Sequence, residues 1–211
     1  MGGRPREVGS DMEEGGNVSS VLTSLVEALE DDPFYVAITR DFSSDRARRR
    51  EALAAYFDYS MTEGRAIGRC TVLPDDHRGA AIWTMPQTPG RMMESKREKH
   101  RFLERTLGRE GLVNYDQIIG FMSARTERAV GDDAWYLSIL GVSPGAQGKG
   151  IGRMLLRPTL DEADRAGADC YLETYSDRSA SFYMRLGFEH IASHIEPVTS
   201  SEYWIMVRRP G

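Results

Sequence analysis

Between residues 142 and 156 the chain reads VSPGAQGKGIGRMLL, with four glycines and a lysine set between an apolar run and a segment of helical composition. Backbone stripped of side chains just where a helix begins suits an anion. The first N–H groups of a helix lack intrahelical partners, and the helix dipole adds positive potential there. A glycine-rich turn that merely lets a strand pack closely on a helix is the alternative, and the loop taken alone leaves both open. Either way the segment demands strand, tight loop and helix in succession.

The flanking periodicities supply the rest of the order. AWYLSILGV reads as a buried strand before the loop, and a helix follows it to about Ala166. DCYLETY is the next strand, SASFYMRL a short helix, and FEHIASHI and EYWIMVRR the last strands. Upstream, Val21, Leu22, Leu25, Val26 and Leu29 recur at helical spacing, with Ser19 or Ser20 as the cap and Pro33 ending or bending the helix. SDRARRREALAAYFDYSMTEG predicts a second helix stopping at Gly64, its arginine run a solvated face. RAIGRCTVL and GAAIWTM form a hairpin across PDDHRG, and RMMESKREKHRFLERTLGREG is one further charged helix. Strands alternating with helices around one mixed sheet predict a single α/β (α+β) domain over residues 18–211, preceded by a flexible segment, 1–17.

Composition narrows the function. A formal net charge of -5 over 211 residues gives no global reason to expect nucleic-acid binding. Two cysteines, Cys70 and Cys170, make neither a disulfide framework nor a metal spacing, which favours a reducing cytoplasm. No apolar run approaches the roughly 20 residues of a membrane span, and the first residues lack a signal peptide's apolar stretch. His190 and His194 are expected on one strand face, but without a cysteine or carboxylate at ligand spacing they predict no metal site.

The loop is not a P-loop, since Lys149 is followed by Gly150 and Ser143 stands where that motif starts with glycine. The Gly148, Gly150, Gly152 spacing also misses the dinucleotide fingerprint. Gln147, Gly150 and Gly152, followed downstream by Tyr183 four residues before Gly187 and Phe188, instead resemble the paired signatures of the GNAT superfamily of acyl-CoA-dependent N-acyltransferases. The resemblance covers about residues 65 to 208. GAAIWTMP, the segment from Leu140 to Thr174 with Pro158 inside its helix, and FYMRLGF are similar to the puromycin N-acetyltransferase branch.

The resemblance implies an acetyltransferase with a mixed sheet of splayed strands and acetyl-CoA as acyl donor. It places the diphosphate on the N–H groups around Gly148, Gly150 and Gly152, with side-chain contacts from Gln147 and Lys149, unless Lys149 is simply solvated. The backbones of Leu140 and Val142 would pair with the pantetheine arm, and one such N–H would polarise the thioester carbonyl. Ser179 stands where many relatives carry an asparagine; it or Ser181 would bond the pantetheine. Tyr183 falls at the family's general-acid position. Glu173, a carboxylate in an apolar strand at the splay, is the candidate base, with a salt-bridged structural carboxylate as the alternative.

Phe34, Tyr35 and Trp83, with Tyr59 and Trp135, are candidates for an acceptor pocket, although aromatics at such spacing are also ordinary core. Asp31 and Asp32 suit a cationic acceptor or a surface helix end. The family's usual first strand finds poor material in REVGSDMEEGG. The expected activity is transfer of an acetyl group to a primary amine of a small molecule by direct attack in a ternary complex, without metal. A homodimer is allowed for. A protein or peptide acetyltransferase and a non-catalytic acyl-CoA sensor are the rival readings.

Overall fold

Pro33 marks the first corner. The computed structural model describes residues 10–211. In it α1 (Ser10–Leu29) ends just before Asp32, whose carboxylate accepts the Phe34 N–H at 2.9 Å and caps α2 (Pro33–Ile38). Proline at the first helical position costs nothing there, because its missing N–H would have no helical partner. Ser19 and Ser20 lie inside α1 and cap nothing. Of the expected flexible lead, residues 1–9 fall outside the described residues, and the helical backbone starts at Ser10.

Asp45 caps α3 (Arg46–Ile67), accepting from the Arg48 N–H at 3.1 Å. The helix runs through Gly64 instead of stopping at it. A Cβ at Gly64 would stand 2.7 Å from Ile82 Cγ2 and 3.2 Å from the Arg69 carbonyl oxygen, so this glycine lets α3 approach the sheet. The hairpin β1 (Gly68–Leu73) and β2 (Asp76–Thr84) follows.

The single charged helix expected next is two, α4 (Pro89–Thr106) and α5 (Gly108–Ala129). The break falls at Gly108, whose φ of 76° belongs to the left-handed region that glycine enters at little cost. There the side chain of Asp41 fills the space a Cβ would take, its Cγ 2.7 Å away. Asp41 also accepts the Gly111 N–H at 2.7 Å, and Asn114 donates to the Ala37 carbonyl at 2.9 Å, which ties α5 to the region of α2.

After α5 come β3 (Trp135–Val142), α6 (Ile151–Ala166), β4 (Cys170–Thr174), α7 (Asp177–Met184), β5 (Glu189–Glu196) and β6 (Ser201–Arg208). Pro158 does not interrupt α6; it sits on the exposed face, where water can serve the Met154 carbonyl that its missing N–H leaves free. The six strands order β1-β2-β3-β4-β6-β5, with β3 and β4 parallel and the other neighbours antiparallel. Of REVGSDMEEGG, the stretch set against the family's usual first strand, residues 6–9 lie outside the described residues and 10–16 belong to α1.

The sheet separates two apolar layers. On one face Leu25, Ile38, Phe57, Leu103 and Ile118 pack on Ile82, Ile139 and Ile205. On the other, Leu155, Leu156 and Leu160 of α6 and Phe188 pack on Trp83, Leu137 and Met206. Complete burial of each such side chain stabilises the fold by about 1.5–3 kcal/mol relative to exposure. The GNAT architecture expected from the motifs is the one observed: a mixed sheet with helices on both faces. No helix among the described residues is long and apolar enough to cross a membrane.

Candidate active site

The site begins where two strands part. The parallel strands β3 and β4 pair only at Trp135 with Cys170 and Tyr136 with Tyr171. Opposite Ile82 and Trp83 the register of β3 jumps from Ile139 to Leu137, leaving Ser138 as an extra residue whose hydroxyl donates to the Ile82 carbonyl at 3.0 Å. Such a bulge bends its strand and increases the local twist. Beyond it the β4-facing edge of β3 is without a strand partner among the described residues. The Ser143 N–H donates to Arg78 on β2, so by the two-residue alternation of a strand the backbone groups of Leu140 and Val142 face that free edge.

The glycine loop closes the same cleft. Gly148 and Gly150 have φ of 76° and 81°, and among the described residues no atom lies within 4 Å of a Cβ built on either, so conformation and not crowding requires glycine. Gly152 differs: its Cβ would be 3.1 Å from Phe182 Cζ, so it lets α6 approach α7. Gln147 donates to the Val142 carbonyl at 3.0 Å and Lys149 to the Gly145 carbonyl at 2.9 Å. Both side chains therefore brace the loop; Lys149, one of the expected phosphate contacts, does not line the cleft.

The basic groups that line it are Arg153, Arg178 and Arg185, which the motif reading passed over. Their signal was present: Arg178 and Arg185 stand seven residues apart, two helical turns, on the segment that carries Tyr183. The cleft holds about 420 Å³ and includes Ser179, whose N–H donates to Ser176 Oγ in the cap of α7 at 3.2 Å. An open left-handed loop, a helix start, a free strand edge and three guanidinium groups fit a long phosphorylated acyl carrier such as coenzyme A.

Tyr183 lines this cleft, only 8% exposed, with its ring edge-on to Phe182 and Phe188. Burial pushes its hydroxyl well above the usual phenol range, and the Asp32 carboxylate adds to the shift. A phenol is protonated at neutral pH even at its ordinary value, and the shift makes this one hold its proton more tightly.

Glu173 lies at the gap on the other face of the sheet. Its Oε1 accepts from the Thr126 hydroxyl and its Oε2 from the Tyr136 hydroxyl at 2.9 Å. Burial raises its carboxyl above the ordinary value, and the two hydroxyl donors oppose that rise. Hydroxyls satisfy it, and among the described residues no cation pairs with it.

Glu173 shares its face with an aromatic group. Phe34 and Tyr35 stand edge to face at 5.2 Å, with Phe34 also 6.1 Å from Tyr115 and Tyr35 5.7 Å from Tyr56. Asp32, beneath them at the head of α2, is pushed up to about 6 by burial against the pull of backbone N–H groups. Trp83 does not join them: it is fully buried on the opposite face, in the layer of α6. Tyr59 stacks on Phe102 at 4.4 Å, and Trp135 packs with the α6 layer.

His190 and His194 do not share a face either. The β5 register jumps between His190 and Ala192, turning His190 toward Trp204 and His194 toward Tyr203.

Comparison with known proteins places the chain in a family. Residues 81–188 match the model of the acetyltransferase (GNAT) family. An uncharacterized N-acetyltransferase of Schizosaccharomyces pombe is 25% identical over 183 residues, 83% of this chain and 72% of that protein. A Corynebacterium glutamicum structure described as histone acetyltransferase HPA2 and related acetyltransferase superposes with a TM-score of 0.60 at 22% identity, over 93% of this chain and 92% of that one. A Drosophila melanogaster polyamine N-acetyltransferase, which forms N-acetylagmatine, gives 0.58 at 16% identity, over 92% and 95%. With the family's paired motifs on either side of a splayed parallel strand pair, the chain belongs to the GNAT family and is an acetyltransferase.

Proposed function

We propose that the protein transfers an acetyl group from acetyl-CoA to the primary amine of a small molecule, by direct attack in a ternary complex. The observation that carries this reading is the gap between β3 and β4, with Tyr183 in the cleft on one side and Glu173 on the other. The family uses acetyl-CoA as acyl donor, and its thioester supplies the activated acyl group.

Gly148, Gly150 and the first N–H groups of α6 hold the diphosphate, with Arg153, Arg178 and Arg185 adding positive charge. Ser179 and the free edge at Leu140 and Val142 hold the pantetheine arm, an edge N–H bonding the carbonyl oxygen as charge develops there. Glu173 takes a proton from the incoming amine as the C–N bond forms. Tyr183 gives its proton to the sulfur as the C–S bond breaks. The rings of Phe34, Tyr35 and Tyr115 and the carboxylate of Asp32 suit an acceptor that carries positive charge beside an apolar body.

The likeness of the segments around Pro158 and FYMRLGF to the puromycin branch is the reason for trying amine antibiotics and aminoacyl compounds as acceptors. Free thiols at Cys70 and Cys170 are compatible with work in the cytoplasm. Thiol release from acetyl-CoA over small cationic amines, aminoacyl nucleosides and basic peptides tests the reading. Turnover confined to small amines supports it, turnover of peptides alone replaces it with a protein acetyltransferase, and bound CoA with no turnover replaces it with a sensor.

A further inference from the structure

Glu173 is held from two independent directions. Thr126 stands in the last turns of α5, and Tyr136 in the final paired rung of β3. Each gives its hydroxyl hydrogen to a different carboxylate oxygen. A carboxylate oxygen offers two lone-pair directions, so each retains one after these bonds are made. Tyr136 is fixed by its stack on Tyr171, with ring centroids 4.7 Å apart. Thr126 is fixed by α5, which Asp41 and the Ala37 carbonyl tie down at its other end.

We propose that Thr126 and Tyr136 are positioning residues for the reaction: their two hydroxyl donors fix the Glu173 carboxylate at the gap between β3 and β4, with one lone pair on each oxygen left for the acceptor's proton. The proposal rests on the reading of Glu173 as base. It makes α5 a working part of the site and not only a cover for the sheet.

The donors also set the group's proton affinity. A hydroxyl bonded to a carboxylate stabilises the charged form, against the desolvation that favours the neutral one. The other ionisable groups facing Glu173 are Tyr171 and Tyr175 on its own strand side and Tyr203 on β6. Their phenols are raised by burial and stay neutral, and among the described residues the buried Tyr203 hydroxyl has no hydrogen-bond partner. Arg125, whose charge acts on Tyr203, is engaged elsewhere. Its guanidinium lies 3.3 Å over the Phe121 ring and donates to the Phe121 carbonyl at 2.8 Å, leaving Glu173 to the hydroxyls.

Removing one donor should therefore raise the Glu173 carboxyl by about one pH unit or more, the effect of one hydrogen bond to a charged group. The test is a ¹³C NMR titration of full-length protein labelled at glutamate side chains, with Glu173→Gln identifying the resonance. The kcat/KM profile against pH is measured on the same variants. Thr126→Val and Tyr136→Phe should each move the Glu173 midpoint upward, and the acidic limb of the rate profile with it. Thr126→Ser, which restores the hydroxyl, should return both to the original position. An unmoved NMR midpoint in both folded variants overturns the positioning role. A midpoint that moves while the acidic limb stays, or a limb that survives Glu173→Gln, overturns the base reading and the proposal with it.

Discussion

Tyr136 occupies the last rung that joins β3 to β4, and its hydroxyl reaches Glu173, two residues further along β4 than its partner Tyr171, at 2.9 Å. The bond holds a buried carboxylate at the point where the strands separate. Burial raises the carboxyl of Glu173, so the folded state holds its proton more tightly than the unfolded chain does. Stability from this group is then fully present below the ordinary carboxylate value, near ~4.3, and is lost as pH rises through the higher folded value.

Glu173→Gln should abolish that dependence. Its denaturant midpoint should exceed that of the unmodified protein at pH 8 and match it near pH 4. The same variant should lower kcat/KM by about 10²–10⁴-fold and lose the acidic limb of the profile. A variant less stable at pH 8 than the original would mean that the ionised carboxylate is a net stabiliser.

Tyr183→Phe removes one hydroxyl and keeps the ring that packs on Phe182 and Phe188. The melting temperature and the calorimetric affinity for CoA should barely change. With the general acid gone, kcat should fall by about 10²–10⁴-fold while KM for acetyl-CoA moves little. Near-normal kcat, measured where chemistry limits the rate, would reduce Tyr183 to packing.

The framework of this site was legible because its signals are local. A glycine loop before a helix, a tyrosine four residues before Gly-Phe and an isolated Glu173 in an apolar strand all sit in one stretch of chain, and the structure brings them to one gap. What escaped depends on contacts distant in sequence. Thr126 is an ordinary helix residue until α5 crosses to β4, 47 residues on. The break that creates α5 hangs on Gly108 fitting against Asp41, which no periodicity announces. The histidine pair was misplaced because strand alternation assigns faces only while the register is unbroken, and β5 carries a bulge; Trp83 follows the plain alternation of β2 onto the α6 face, and the sequence did not show which face that is. For Lys149 the sequence left phosphate contact and solvation open, because its charge was visible and its acceptor, the Gly145 carbonyl, was not.

The loop predicts a separation between two glycines. Gly150→Ala meets open space but forces an L-residue to a φ of 81°, at a cost of about 1–2 kcal/mol. Gly152→Ala instead presses on Phe182 at 3.1 Å. Both should weaken CoA binding by calorimetry, and adding Phe182→Leu should relieve only the second. Equal recovery in both backgrounds would contradict the separate causes.

Asp32, at about 6, changes charge within the working range. If it meets a cationic acceptor, KM for that amine should rise as pH falls through 6 and the carboxylate is neutralised. Asp32→Asn keeps a side-chain oxygen to cap α2, and should show a high KM with no such step. KM for acetyl-CoA should be the same in both. An Asn variant with unchanged amine KM at pH 8 would confine Asp32 to capping.

The most direct measurement of the account is product stoichiometry in one reaction mixture of protein, acetyl-CoA and a small cationic amine, with free thiol and N-acetylated amine quantified together by mass spectrometry. The account predicts one acetylated amine for each CoA released, and loss of both products in the Glu173→Gln, Tyr183→Phe double variant with CoA affinity retained. Thiol released without acetylated amine, or undiminished acetylation by the double variant, would contradict it.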